Sequence, residues 1–248
     1  MGINKKIKMS ALQNIDLSFE GEIAVLLLQK ESNMPQPVTK ETVAALNEAL
    51  NHIEDHTETK LLLIKGAHPE GLTFGFDKQS FELQDENPHI HAFQKWEKFC
   101  IRLERLKVPK LLVARGNCQD ADLQLMLACD CTLAVSETSF CIDSLQRGYL
   151  PGISLLNLAK HIGLGKAKQL ILEAKPFGAV QALEWGIVQH IYEQEEIENA
   201  LEKHINQLVN LNSVHVQLTR RLLAEAFADS YEDFLGNYLA AQHRAINR

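Results

Sequence analysis

The stretch KVPKLLVARGNCQDADLQLMLACD, residues 107–130, decides the fold. After Pro109 comes a continuous apolar run that ends near Gly116, which is typical of a strand covered on both faces. The stretch finishes with residues 123–130, which are hydrophobic on nearly every side and predict a helix in the centre of the molecule. A buried strand that leads directly into a buried helix predicts an α/β domain.

Two carboxylates, Asp120 and Asp122, stand at the junction between this strand and this helix. Acidic side chains at a helix start accept hydrogen bonds from free N–H groups and complement the helix dipole. Each such charge stabilises an exposed helix start by about 0.3–1 kcal/mol. The sequence therefore predicts that both carboxylates cap the helix.

Strand and helix signals alternate along the first part of the chain. Residues 15–29 predict two short strands around a Glu-Gly turn, and residues 39–56 predict a helix capped by its first threonine. This βαβα alternation favours parallel pairing of the strands. Because helices predominate towards the end, we expect an α/β core at residues 1–190 and a helical region at residues 191–248.

Composition and charge argue against several classes of partner. The 248 residues are 46% hydrophobic and 23% charged, which is ordinary for a soluble globular protein. The net charge of −7 argues against a nucleic acid or an anionic membrane, since neither is attracted to an acidic surface. No apolar run suits a membrane span, and residues 1–13 lack the apolar core of a secretory signal. Five cysteines without metal-ligand spacing favour reduced thiols, a cytoplasmic location and no bound metal.

The common nucleotide-binding and hydrolase motifs are missing from the sequence. The chain has no GxxxxGK[ST] loop, no GxGxxG, no GxSxG elbow and no HExxH. From the residues alone, the sequence indicates an α/β protein with a helical C-terminal part, and it does not identify a reaction.

Four segments resemble the crotonase superfamily, which includes enoyl-CoA hydratases and isomerases. Residues 107–130 are similar to its pattern KP.IAAVNG.A.GGG.ELALACD. Residues 71–81, 139–163 and 163–192 are similar to its patterns F.AG.DL, F..PE..LG..PG.G and G…KA.EL.LTG….A.EA…GLV. The resemblance runs in order over about residues 15–228. It implies a crotonase-like spiral of ββα units with a helical C-terminal oligomerisation region.

The resemblance also implies a site for an acyl-CoA or acyl-carrier thioester, with no further cofactor. Members of the superfamily polarise the thioester carbonyl with two backbone N–H groups, and such donors contribute most where negative charge develops. The matching positions are Thr73, or its neighbour Phe74, and Ala121 at the start of the central helix. Lys30, Phe74 and Gly75 match the segments that contact coenzyme A.

Several positions depart from the superfamily pattern. The GGG triplet becomes Asp-Ala-Asp, and the two acid–base glutamates of hydratases align with Gln124 and Ser144. A glutamine does not exchange a proton near neutral pH, and a serine needs a partner base. We therefore expect standard hydration to be absent, with Gln124, Asp143 and Ser144 as the candidate catalytic residues.

The carboxylates of the Asp-Ala-Asp triplet also bear on the expected oxyanion. At roughly 5 Å and an effective dielectric of about 20, one carboxylate would oppose a negative charge at Ala121 by about 3 kcal/mol. That is close to what one oxyanion donor supplies, roughly 3–4 kcal/mol. We therefore expect Asp120 and Asp122 to favour helix stability over enolate chemistry.

Each candidate side chain also has a structural interpretation. Gln124 either contacts water or substrate or makes an internal hydrogen bond. Asp143 is either a catalytic base or a solvated carboxylate at a strand end. Tyr149 either donates a hydrogen bond into the pocket or packs within its turn. Lys30 and Lys40 either bind phosphate groups or are solvated.

Two classes of function remain open. In the first, the protein is an enzyme that isomerises, decarboxylates or hydrolyses an acyl thioester. In the second, it is a non-catalytic homologue that binds a thioester or a partner subunit. In both classes the resemblance implies a homotrimer or a dimer of trimers, with residues 213–248 packed against neighbouring subunits.

Overall fold

The structure is a computed structural model that describes residues 5–8, 15–28, 36–67, 72, 74–75 and 88–225. Its strands are β1 (Lys5–Lys8), β2 (Ile15–Glu20), β3 (Ile23–Leu28), β4 (Gln36–Pro37), β5 (Leu61–Gly66), β6 (Phe74–Gly75), β7 (Lys110–Ala114), β8 (Asn117–Cys118), β9 (Cys131–Val135), β10 (Ser139–Phe140), β11 (Phe177–Gly178) and β12 (His190–Tyr192). Its helices are α1 (Lys40–Asp55), α2 (Pro88–Arg105), α3 (Asp120–Leu127), α4 (Ser154–Ile162), α5 (Leu164–Glu173), α6 (Ala179–Glu184), α7 (Ile197–Val209) and α8 (Ser213–Glu225).

The largest sheet has the strand order β1-β2-β3-β5-β7-β9-β12. The first three strands pair antiparallel, and the β2–β3 hairpin turns at Gly21, whose φ of +61° suits a residue without a side chain. From β3 onward every pairing in this sheet is parallel. The parallel pairing predicted from the βαβα alternation is therefore confirmed.

Both faces of this sheet are covered, which explains the continuous apolar strands. In β5, Leu62 and Ile64 pack on one face with residues of α1, α2 and α3, while Leu61 and Leu63 pack on the other. The second face is closed by Ile197 of α7 and its neighbours. Helix α1 starts as predicted, because the Thr39 hydroxyl accepts a hydrogen bond from the N–H of Thr42 at 3.2 Å.

Two smaller sheets surround the start of α3. In one, β10 pairs parallel with β8 and antiparallel with β11. In the other, β4 pairs parallel with β6, so that Gln36 lies opposite Phe74 and Pro37 lies opposite Gly75. Strand β8 leads directly into α3, and all eight residues of α3 are buried. The central buried helix predicted from residues 123–130 is confirmed.

The boundary expected at residue 190 falls inside a strand. Strand β12 spans that position and pairs with β9 in the largest sheet. Beyond it, Ile197 and Leu201 of α7 pack on the same sheet, so α7 contributes to the core. Residues 226–248, the remainder of the expected C-terminal region, lie outside the described residues.

One arginine attaches α8 to the rest of the subunit. The Arg220 guanidinium donates to Asp130 Oδ1 at 2.6 Å and to three backbone carbonyls at the end of α2 and just beyond it. Asp130 Oδ2 accepts from the backbone N–H of Lys110 at 2.7 Å and pairs with its Nζ at 3.0 Å. Burial lowers the pKa of the Lys110 ammonium. Asp130 therefore joins β7, α8 and the residues that follow α3.

Among the residues that the structure describes, no helix combines the length and the apolar character needed to cross a membrane.

Candidate functional site

The candidate site lies at the N-terminus of α3. Gln119 is the N-cap residue, with extended backbone geometry, and Asp120 and Ala121 open the first turn. The N–H groups of a first helical turn have no acceptor within their own helix. Ala121 is fully buried, so its N–H points into the protein rather than into bulk water. Its assignment as an oxyanion donor remains a prediction from the resemblance.

Asp122 connects this helix start to β6. Its Oδ1 accepts a hydrogen bond from the N–H of Phe74 at 2.8 Å, and its Oδ2 accepts from the N–H of Gln119 at 3.2 Å. The predicted capping role is therefore confirmed for Asp122. Both oxygens of Asp122 are thus engaged by backbone N–H groups, and its effect on a charge at Ala121 stays a prediction.

The contact with Asp122 also occupies one candidate oxyanion donor. Because the N–H of Phe74 donates to Asp122, it is engaged within the protein in this arrangement. The alternative donor, Thr73, lies outside the described residues, as does Lys30. Phe74 and Gly75 are themselves buried in β6, where they pair with Gln36 and Pro37 of β4.

Asp120 does not act as the predicted exposed cap. Only 2% of the residue is exposed, and among the described residues the side chains of Asp143 and Ser144 lie within hydrogen-bonding reach of its carboxyl. Burial, reinforced by the nearby carboxyl of Asp143, raises the pKa of Asp120 to about 7, and Ser144 and Arg147 partly offset the rise. Asp120 therefore gains or loses its proton close to neutral pH, which sequence reasoning did not predict.

Asp143 and Ser144, two of the predicted catalytic residues, lie against Asp120. Asp143 Oδ2 accepts from Arg147 Nε at 3.0 Å and from Arg147 Nη2 at 2.8 Å. Its buried Oδ1 and the Ser144 hydroxyl have no partner other than Asp120 within the described part of the chain. Asp143 is thus held at a turn and is not the freely solvated strand-end carboxylate of the structural interpretation.

Arg147 and Tyr149 complete the surroundings of these acids. Arg147 Nη2 also donates to Gln119 Oε1 at 2.6 Å, which ties the turn after β10 to the N-cap of α3. Tyr149 packs its ring 5.8 Å from Phe93, and burial together with the Asp120 charge raises the pKa of its hydroxyl. We call these five residues the acidic cluster: Asp120, Asp143, Ser144, Arg147 and Tyr149.

Gln124 makes the internal hydrogen bond that was one of its two interpretations. Its Oε1 accepts from the indole Nε1 of Trp96 at 2.8 Å, and the residue is buried. The Trp96 ring packs 5.9 Å from the ring of Phe74, so α2, α3 and β6 meet at this contact. Trp96 was not singled out from the sequence, although an indole N–H needs an acceptor when it is buried.

A further buried acid, Glu97, lies outside the acidic cluster. Its Oε2 accepts from the N–H of Ile153 at 2.8 Å, and burial raises its pKa to about 8. Its Oε1 lies 1.6 Å from the point that a Cβ on Gly152 would occupy. The close approach of the carboxyl to the backbone therefore requires glycine at position 152. The sequence gives a weak signal for this contact, since Glu97 interrupts the apolar face of α2.

The described residues include no group of three or more histidine, cysteine, aspartate or glutamate side chains placed to hold a metal ion. The five cysteines are present as free thiols.

Comparison with known proteins identifies relatives of this chain. The sequence profile of the family described as enoyl-CoA hydratase/isomerase matches residues 19–247. A short-chain-enoyl-CoA hydratase of Clostridium acetobutylicum is 24% identical over 213 residues, covering 86% of this chain and 81% of that protein. A crotonyl-CoA hydratase of Syntrophomonas wolfei is 24% identical over 214 residues, covering 85% of this chain and 81% of that protein.

Solved structures show the same architecture. An enoyl-CoA hydratase from Mycobacterium avium subsp. paratuberculosis aligns with a TM-score of 0.85 at 19% identity, covering 96% of this chain and 95% of the other. An enoyl-CoA hydratase from Bacillus anthracis aligns with a TM-score of 0.81 at 20% identity, covering 95% and 90%. The mixed sheets and C-terminal helices are those of the α/β crotonase fold, as the resemblance implied. The chain belongs to the enoyl-CoA hydratase/isomerase family.

Proposed function

We propose that the protein binds an acyl-CoA or acyl-carrier thioester at the N-terminus of α3 and transfers a proton on the bound acyl group. The reaction is isomerisation, decarboxylation or hydrolysis rather than standard hydration. The observation that carries this proposal is the position of Ala121. Its N–H belongs to the first turn of a buried helix and lies beside the buried polar atoms of the acidic cluster.

The helix start supports the binding half of the proposal. Free N–H groups and the positive end of the helix dipole favour a thioester oxygen that becomes negative during enolate formation. Thr73 and Ala121 are the proposed donors, while Lys30, Phe74 and Gly75 are the proposed contacts to coenzyme A. Related proteins are named for hydration of enoyl-CoA, which supports a thioester ligand and no separate cofactor.

Two observations argue against hydration as the reaction. Gln124, which aligns with one hydratase glutamate, uses its carbonyl oxygen to accept from Trp96. Ser144, which aligns with the other, is buried, and its hydroxyl has no partner other than Asp120 among the described residues. Adding water across a double bond needs groups that give and take protons, and neither side chain does so near neutral pH.

A non-catalytic thioester-binding or partner-binding homologue is the second candidate. It is favoured by the internal use of two family positions, the N–H of Phe74 and the side chain of Gln124. Both bonds make the site more rigid without serving a substrate. The two candidates differ in turnover, and the thioester-binding form of the second shares the ligand of the first.

We also propose that the protein is a homotrimer or a dimer of trimers and that it resides in the cytoplasm. Large apolar side chains stand exposed on α5, α6 and α8, among them Leu172 at 74%, Val180 at 62% and Val214 at 60%. Exposed apolar side chains of this size mark interaction surfaces when they cluster. The free thiols support a reducing compartment.

Paired ligands test the proposed thioester site. We expect butyryl-CoA to bind more tightly than S-butyl-CoA, which lacks the carbonyl oxygen, by about two- to tenfold, since one neutral hydrogen bond contributes about 0.5–1.5 kcal/mol. Isothermal titration calorimetry measures both affinities. Equal affinities would show that no N–H group reaches the carbonyl, and binding of neither ligand would contradict the proposed function.

A further inference from the structure

The acidic cluster contains more unsatisfied polar atoms than a purely structural arrangement needs. Both oxygens of Asp120, Oδ1 of Asp143 and the hydroxyl of Ser144 are buried, and no described residue outside these three side chains satisfies them. Buried polar groups in native proteins are nearly always hydrogen-bonded, so a concentration of exceptions at one place calls for a reason. Binding of a ligand or transfer of a proton at this site would be such a reason.

The two carboxyls of the cluster are held differently. Asp143 is fixed by Arg147, which contacts its Oδ2 through two nitrogens and supplies a counter-charge. Asp120 has no ion pair with a described residue, and its carboxyl lies within hydrogen-bonding reach of the side chains of Asp143 and Ser144. Two neighbouring carboxyls in a buried site do not both ionise readily, so they tend to share one proton. The unpaired member of the pair, Asp120, is the one that holds it.

The other candidate groups near α3 are already engaged. Asp122 accepts two backbone N–H groups, and Gln124 accepts from Trp96. Ser144 is not itself a base near neutral pH. Asp120 is left as the group whose side-chain partners lie within the acidic cluster and which is adjacent in the chain to the proposed oxyanion donor, Ala121.

We propose that Asp120 is the catalytic acid–base residue of this site and that Asp143, fixed by Arg147, is its positioning partner. This inference rests on the proposed function, because it requires a thioester bound at Ala121. In the elementary step, the Asp120 carboxylate takes a proton from the α carbon of the acyl group. The C–H bond breaks, and its electron pair moves onto the thioester oxygen as an enolate. The reverse step returns a proton from Asp120 to the carbon.

The surroundings of Asp120 predict how this step depends on pH. The groups that face it are Asp143, Ser144 and Arg147, together with Tyr149 and Cys141, whose own pKa values it helps to raise. The step requires the carboxylate form of Asp120, so its rate should rise with pH through about 7. The Asp143 carboxylate raises the pKa of Asp120, so removing that charge should move the midpoint to lower pH.

Exchange of the α protons of butyryl-CoA in D2O, followed by mass spectrometry, tests the inference. In Asp120→Asn, exchange should fall at least about 100-fold, the scale of general acid–base catalysis, while the affinity for butyryl-CoA changes by less than about threefold. Asp143→Asn should retain exchange with its pH midpoint lowered. Glu97→Gln is the matched control, since it removes a buried carboxyl outside the cluster and should leave exchange unchanged.

The outcomes separate the inference from the function on which it rests. If Asp120→Asn exchanges as fast as wild type, Asp120 is not the catalytic residue, whereas the thioester site stands. If wild type binds butyryl-CoA without exchange, the inference fails and the non-catalytic candidate is favoured. If wild type does not bind, both proposals fail. Melting temperatures of all variants check that each one is folded, and Asp120→Asn keeps an oxygen that can accept from Ser144.

Discussion

The carboxylate of Asp122 accepts a hydrogen bond from the backbone N–H of Phe74, which lies 48 residues earlier in the chain, at 2.8 Å. Its second oxygen accepts from the N–H of Gln119 at 3.2 Å. One side chain thus fixes β6 against the start of α3. The two elements that carry the proposed thioester contacts therefore move together.

Asp122→Asn is expected to destabilise the protein. The amide keeps the size of the carboxylate but turns one acceptor into a donor, which then faces a backbone N–H. Leaving a buried donor without its acceptor costs about 1–3 kcal/mol. Urea unfolding measures the loss, with Asp120→Asn as the matched control that should cost little or nothing. Equal destabilisation by the two substitutions would contradict the different roles assigned to Asp120 and Asp122.

Glu97 should make stability depend on pH. Below its unfolded pKa of 4.5 the carboxyl is protonated in both states, and its contribution is constant. Between 4.5 and about 8 only the unfolded state releases the proton, so stability falls by up to about 1.4 kcal/mol per pH unit. Above about pH 8 the carboxyl is ionised in both states, and its contribution to stability no longer changes. Glu97→Gln keeps an acceptor for Ile153 and stays neutral, so its stability should exceed that of wild type increasingly across this window.

Unfolding in urea at several pH values from about 4.5 to 9 checks this expectation. The difference between wild type and Glu97→Gln should grow through the window and then level off. A difference that does not change with pH would show that Glu97 ionises normally in the folded protein.

Gly152→Ala should destabilise through the same carboxyl. A methyl group at position 152 would lie 1.6 Å from Glu97 Oε1, so the side chain must move and lose its bond to Ile153. We expect a cost of about 1–3 kcal/mol. In the Glu97→Ala background the added methyl should cost much less. A double-mutant cycle by thermal unfolding measures this coupling, and additive effects would contradict the proposed contact.

Crotonyl-CoA should be hydrated many orders of magnitude more slowly than by a family member with both glutamates. The absorbance of the enoyl thioester follows the reaction, and the Clostridium acetobutylicum hydratase serves as a control in the same assay. A turnover above about 10 per second, typical of a competent enzyme, would show that other groups replace the missing glutamates.

Light scattering at micromolar concentration should give the mass of a trimer or of two trimers. Leu172→Lys and Val180→Lys, at strongly exposed apolar positions of α5 and α6, test whether these helices contribute to the interface. If they do, the charged variants should shift the mass towards the monomer. A monomeric mass for wild type would contradict the proposed assembly.

The sequence was most informative where one pattern determines one structure. Continuous apolar runs predicted strands buried on both faces, because each alternate residue of β5 meets a different helical layer. Thr39 was correctly assigned as a cap because capping depends on residues close in sequence. The family resemblance then supplied the spiral arrangement, which no local pattern contains.

The sequence was least informative about contacts between distant residues. Asp120 and Asp122 have the same side chain and stand two positions apart, yet only Asp122 meets backbone donors. That difference depends on where β6 and the turn after β10 pack. The same is true of Gln124, whose partner Trp96 lies 28 residues away. The pKa of Asp120 depends on burial and on Asp143, and neither can be read from its neighbours in sequence.

The contact between Arg220 and Asp130 also sets an order of events during synthesis. The two residues are 90 positions apart, and ribosomes add about 5–20 residues per second. Asp130 therefore emerges with Lys110 as its cation, and about 5–20 s pass before the arginine is made. During that interval the carbonyls at the end of α2 also lack their guanidinium donor. The attachment of α8 to the end of α2 therefore forms only after α8 itself has been made.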